Sequence, residues 1–219
     1  MKKYLFMQPV LKFIGEGTLF SRIFASALRV FAVLLSIGAV IAWIQLWKMV
    51  FEMNGAAILG GVVFQALFVV GVYMVVHTVW IRASDIQGLG KSDFKIIPIV
   101  SLFLRMLGEI YACISVAVGV GGGVLLLFGA YGGLAYRATR AIPGMGWQDS
   151  LFSGLFGGDT TSTFLSAVLV TVSGAIGAVF WLVLFYLASE LVVVLVDIAQ
   201  NTRAVRDVAE RFKVSGGTP

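Results

Sequence analysis

Few residues in this chain could carry chemistry, and most of them stand in apolar surroundings. His77 is the sole histidine of the sequence. With Glu109 and Glu190 it supplies the groups from which a proton or ion path would be built, because ionisable side chains inside hydrophobic segments are costly and mark such paths. An imidazole on an apolar helix can also ligate haem, a pigment or a metal through a ring nitrogen. A lone histidine more often hydrogen-bonds a neighbour, so no cofactor is expected beyond lipid, and haem or pigment at His77 would need a partner to complete the site. Arg105 and Glu109 are four residues apart, the spacing that lets them pair on one helix face. Glu190 and Asp197 are seven apart and share another face. Cys113 is the only cysteine, which excludes an intrachain disulfide and a cysteine metal cluster. No glycine-rich phosphate loop, His-Glu-x-x-His helix or Ser-His-Asp set is present. The chain is not expected to be an enzyme.

The elements that must hold these residues follow from composition. Of 219 residues 59% are hydrophobic and 12% charged, against about a quarter charged in an ordinary globular chain. Mean hydropathy is +0.98. Runs such as residues 58–81 and 164–197 exceed the 18 or so apolar residues that cross a bilayer core of about 30 Å. The expectation is an all-α, polytopic membrane protein, one membrane domain over residues 1–219, with four transmembrane helices at 30–50, 58–81, 110–133 and 164–188. An amphipathic N-terminal segment, residues 1–27, should lie on the membrane surface, and residues 189–213 should form a cytoplasmic helical extension. The region 96–133 would be roughly 57 Å long as a helix, too long for one simple crossing. Arg105 and Glu109 divide it, which places 96–107 at the surface, with Pro98 in a first helical turn.

The net charge is +5, yet the basic residues flank apolar runs instead of forming a basic face, so membrane lipid is an expected partner and nucleic acid is not. Four crossings with both ends cytoplasmic (N-in, C-in) put thirteen of the 16 basic residues on the cytoplasmic side and leave only Lys48, Arg137 and Arg140 opposite.

Glycine is abundant, at 26 residues. Gly119 with Gly123 and Gly129 with Gly133 have the small-xxx-small spacing that brings helices close in lipid, and Ala167, Thr171, Gly174 and Ala178 form a matching stripe in the fourth span. Close packing of the third and fourth helices is expected. The sharper alternative makes Gly121, Gly122 and Gly123 a bend or broken helix lining a water-filled path. In the outer loop, Trp147, Leu151, Phe152, Leu155 and Phe156 recur at helical spacing, as in an interfacial helix.

Leu191 to Val196 are continuous hydrocarbon where the last helix should already have left the bilayer. They need a cover, and the expected one is the segment 96–107, within one subunit or between two, with Arg105 approaching Glu190 or Asp197. Beyond them, Arg203 with Asp207 and Arg206 with Glu210 are four apart, while Val205, Val208, Ala209 and Phe212 make a thin apolar stripe.

The sequence Glu190-Leu191, the aliphatic run, Asp197-Ile198-Ala199 and Gln200-Asn201-Thr202-Arg203 resembles the end of the last helix in a family of small bacterial inner-membrane proteins, a domain-of-unknown-function group. Tyr186 and Asp197 stand where that family has arginine, and the resemblance covers residues 186–203. It implies residence in the bacterial inner (cytoplasmic) membrane and carries no activity over. The expected role is a structural or accessory membrane subunit in a homo- or hetero-oligomer or larger complex. The rival is an oligomeric channel or transporter subunit with the glycine-rich third helix lining a path.

Overall fold

The computed structural model describes residues 18–53, 55–89, 96–128 and 163–215. Among them every regular element is an α-helix: α1 (Thr18–Phe51), α2 (Ala57–Gln87), α3 (Ile96–Leu127) and α4 (Thr163–Ser215). Each is long and apolar enough to cross a membrane, the pattern of a multi-pass membrane protein. Within a bilayer every backbone N–H and C=O must be satisfied internally, which a helix does by itself. Hydroxyls follow the same logic. Ser36 donates to the carbonyl of Ala32 at 2.8 Å, Thr78 to that of Met74 at 2.8 Å and Ser84 to that of Trp80 at 3.1 Å, each returning its proton to its own helix.

Two boundaries differ from those expected. Helix α1 begins at Thr18, so residues 18–27 belong to the first long helix and not to a separate surface segment. Helix α3 runs without interruption from Ile96 to Leu127; Arg105 and Glu109 do not divide it, and the expected end at 133 lies outside the described residues. Helix α4 is one 53-residue element that continues through 189–213. Residues 1–17, Gly129, Gly133 and the loop 136–162 with its aromatic residues lie outside the described residues.

Neighbouring helices pack antiparallel in chain order, α1 on α2, α2 on α3 and α3 on α4, the last most extensively. The turn between α1 and α2 is made possible by Gly55, whose φ of 61° is open to glycine at little cost. Gly61 then meets Val50, Gly60 meets Phe128, and Gly119 meets Gly174. Helix α1 also touches α3, where Phe24 meets Phe103 edge to face with centroids 5.7 Å apart.

A core joins α1, α2 and α3 at one end through Ala25, Leu28, Ala32, Val79, Ala83, Ile86, Ile99 and Met106. Elsewhere large side chains such as Leu34, Ile37, Tyr73, Ile176 and Val179 face outward. In water such continuous apolar surface would drive aggregation. Hydrocarbon solvates it without penalty, because lipid tails are as apolar as leucine.

Candidate functional site

Three helices converge on Glu109. Along α3, Ser101, Arg105 and Glu109 follow one another at intervals of four and lie on one face. Arg82 comes from α2, and Tyr186 and Ser189 come from α4. Arg82 grips the Glu109 carboxylate with two donors: Nε gives a hydrogen bond to Oε2 at 2.9 Å and Nη2 bonds Oε1. This is the planar fork by which a guanidinium matches a carboxylate. The Tyr186 hydroxyl donates to the same Oε1 at 2.8 Å, and Arg82 Nη1 reaches Asp85 Oδ2 at 3.0 Å. Both Arg82 and Glu109 side chains are about a fifth exposed, at 21% and 20%.

One turn towards the start of α3 the polar contacts continue. Arg105 donates from Nε to the Ser189 hydroxyl at 3.0 Å, and the Ser101 and Ser189 hydroxyls lie 2.6 Å apart. Ser189 has no exposed surface and Ser101 is 6% exposed. The Arg105 guanidinium also stands 5.5 Å from the centre of the Tyr186 ring, within the range of a cation–π attraction. Tyr186 thus holds both charges, Glu109 through its hydroxyl and Arg105 through its ring. Glu109 takes its ion pair from Arg82, 27 residues away, and not from Arg105. Arg105 in turn engages the residue before Glu190, while Glu190 and Asp197 are exposed on α4.

The second feature is a seam of small residues between α3 and α4. A Cβ added at Gly119 would lie 2.6 Å from the Gly174 Cα, and one at Gly174 would lie 2.6 Å from the Ser115 carbonyl oxygen. One at Gly123 would collide with the Thr171 hydroxyl and come within 2.9 Å of the Ala167 carbonyl oxygen. Thr171 gives its own hydrogen bond to that carbonyl at 2.9 Å. Ala167 and Ala178 are buried. On another face of α3, Gly121 is filled by the Phe64 ring. The triplet Gly121, Gly122 and Gly123 is therefore helical and buried, with no break in the helix to line a path.

His77 is exposed on α2, its ring stacked on Tyr73 one turn earlier at 5.5 Å and 11°. Because His77 and Glu190 are exposed while Glu109 is turned inward, the three do not line one internal route. Among the described residues no three His, Cys, Asp or Glu side chains gather into a metal-binding group.

Sequence reasoning missed Arg82, Ser101, Tyr186 and Ser189 as members of the site. Arg82 carried a signal as the one basic residue inside the long apolar helix α2, but its place near the helix end made it read only as a topology marker. Gly108 was also missed; its missing Cβ admits Phe185, whose own Cβ would lie 2.8 Å away. Comparison of the chain with protein-family models, with curated proteins and with solved structures finds no match.

Proposed function

We infer that this chain is a structural or accessory subunit of the bacterial inner membrane, crossing it four times with both ends cytoplasmic, and that its role is association in an oligomer or larger complex. The observation that carries the reading is the length of α4. Its apolar run from Phe164 to Val196, with Glu190 the one charged residue in it, would be roughly 50 Å long as a helix against a hydrocarbon core of about 30 Å. Tilting absorbs only part of such an excess. The rest must find protein cover. The weak likeness of residues 186–203 to small bacterial inner-membrane proteins agrees with this placement, as does the collection of basic residues on one side.

The channel reading draws less support. Gly119, Gly121 and Gly123, the residues that would open a path along α3, are occupied by Gly174, Phe64 and Thr171. Glu109, the acid that would serve the path, spends both oxygens on Arg82 and Tyr186. No catalytic role and no resident cofactor belong to this proposal, and lipid is the expected small-molecule partner.

The test is the mass of the particle released by a mild detergent, with identification of whatever copurifies. The expected result is a protein mass at least twice the 23.5 kDa of one chain. A monomer without companions, or specific ion flux through liposomes carrying the pure chain, would overturn the proposal.

A further inference from the structure

From Leu191 onward, α4 repeats at alternating intervals of three and four: Leu191, Val194, Ile198, Asn201, Val205, Val208, Phe212. This is the a/d pattern of a heptad, sustained for three repeats, and it dictates a left-handed seam between helices. Every Asp, Glu, Lys and Arg between positions 191 and 215 falls outside it.

The structure places this seam in the open. Leu191, Val194, Ile198, Val205 and Val208 are 61%, 54%, 56%, 69% and 52% exposed. The face of α4 held by α3 carries Gly174, Phe185 and Ser189. At 3.6 residues per turn, the heptad seam lies about half a turn around the helix from that face. Helix α3 therefore leaves the seam uncovered. The antiparallel register that sets Gly119 on Gly174 and Arg105 on Ser189 runs out where α3 begins at Ile96, so α4 beyond Ile198 projects past the bundle.

We propose that the seam from Leu191 to Val208 forms a parallel, in-register coiled coil with the same segment of a second copy of this chain. The inference rests on the association reading above and names its partner. Asn201 is what selects a copy of itself. An amide in an apolar seam has both donors and an acceptor to satisfy, and the same amide facing it across an in-register interface supplies both. Against an unlike apolar helix it would be left unpaired; Asn201 falls at a d position of the heptad, and the same pairing logic lets asparagines at a positions fix register in coiled coils. The flanking positions agree. In a parallel pair Asp197 comes opposite Thr202, so no like charges meet there across the seam. Copies that cross the same bilayer in the same sense also present their α4 helices side by side at equal height.

The full-length chain in native membranes provides the test, with Cys113→Ser as background and single cysteines introduced by Val194→Cys, Ile198→Cys, Val205→Cys and Val208→Cys. Arg203→Cys and Arg206→Cys, on the outer face, are the controls. Mild oxidation should cross-link the seam positions to a species of twice the 23.5 kDa chain mass, and to an extent about fivefold or more above the controls, as knobs-into-holes contact requires. Asn201→Asp, which sets two like charges face to face, should lower the doubled species severalfold, while Asn201→Leu should retain it. Cross-linking that shows no heptad period, or is indifferent to Asn201→Asp, overturns the inference. Heptad-periodic cross-linking to a product of another mass also overturns it and leaves the association reading standing. Absence of cross-linking at every position, together with a monomeric particle, removes both.

Discussion

A single carbon decides how close α3 and α4 can come. At Gly119 the space for a Cβ is already filled by the backbone of Gly174, whereas at Gly38 nothing lies within 4 Å. Gly119→Val should therefore cost about 1–3 kcal/mol, the range for forcing extra carbon into a packed contact. Gly38→Ala should stay within about 0.5 kcal/mol, as surface changes do. Thermal unfolding in one detergent compares the two, and equal midpoints would mean that the helices are not held by this contact. The pairing of small stripes was legible in the sequence because Gly119, Gly123, Thr171 and Gly174 fall at helical spacing, and spacing along one helix is local information. The ion pair was not. Nothing local joins Arg82 to Glu109, and the nearest basic residue along α3, Arg105, offered the more obvious partner.

Between elements, the Arg82–Glu109 pair is the polar tie that fastens α2 to α3, with Tyr186 bringing in α4. Removing one partner of a buried pair leaves an uncompensated charge at a cost of about 3–5 kcal/mol, and the lower end applies to side chains that keep a fifth of their surface. Glu109→Gln should lower stability accordingly. The double variant Arg82→Leu with Glu109→Leu should recover most of the loss, because two apolar side chains leave no charge stranded. A double variant as unstable as the single in a detergent melt would contradict this account. The tie also explains why the extent of α3 was misread. Two charges within an apolar run look like the edge of a membrane span when their compensation cannot be seen, and Ile96–Leu127 stays one helix because α2 and α4 supply it. The existence of four long apolar helices was plain from composition and run length. Their exact ends were not, since Thr18 and Gln87 extend helices past the apolar windows that betrayed them.

At the scale of the whole molecule, orientation is the open geometric quantity, and the distribution of basic residues sets the expectation. A fluorescent protein that matures only in the cytoplasm, fused after Pro219, should glow, and a phosphatase active only outside, fused at the same point, should stay silent. The opposite pair of results would reverse the assignment of sides. The arrangement of helices has a further consequence for how the chain is made. Because α2 rests on α1, α3 on α2 and α4 on α3, each span emerging from the ribosome finds its main neighbour already in the bilayer. Contacts between sequence neighbours close with little entropic delay, and chains are built from the N-terminal end. Biogenesis can thus proceed as a zipper, one tooth at a time, and the last span to arrive meets the nascent protein along one flank with its other flank still free.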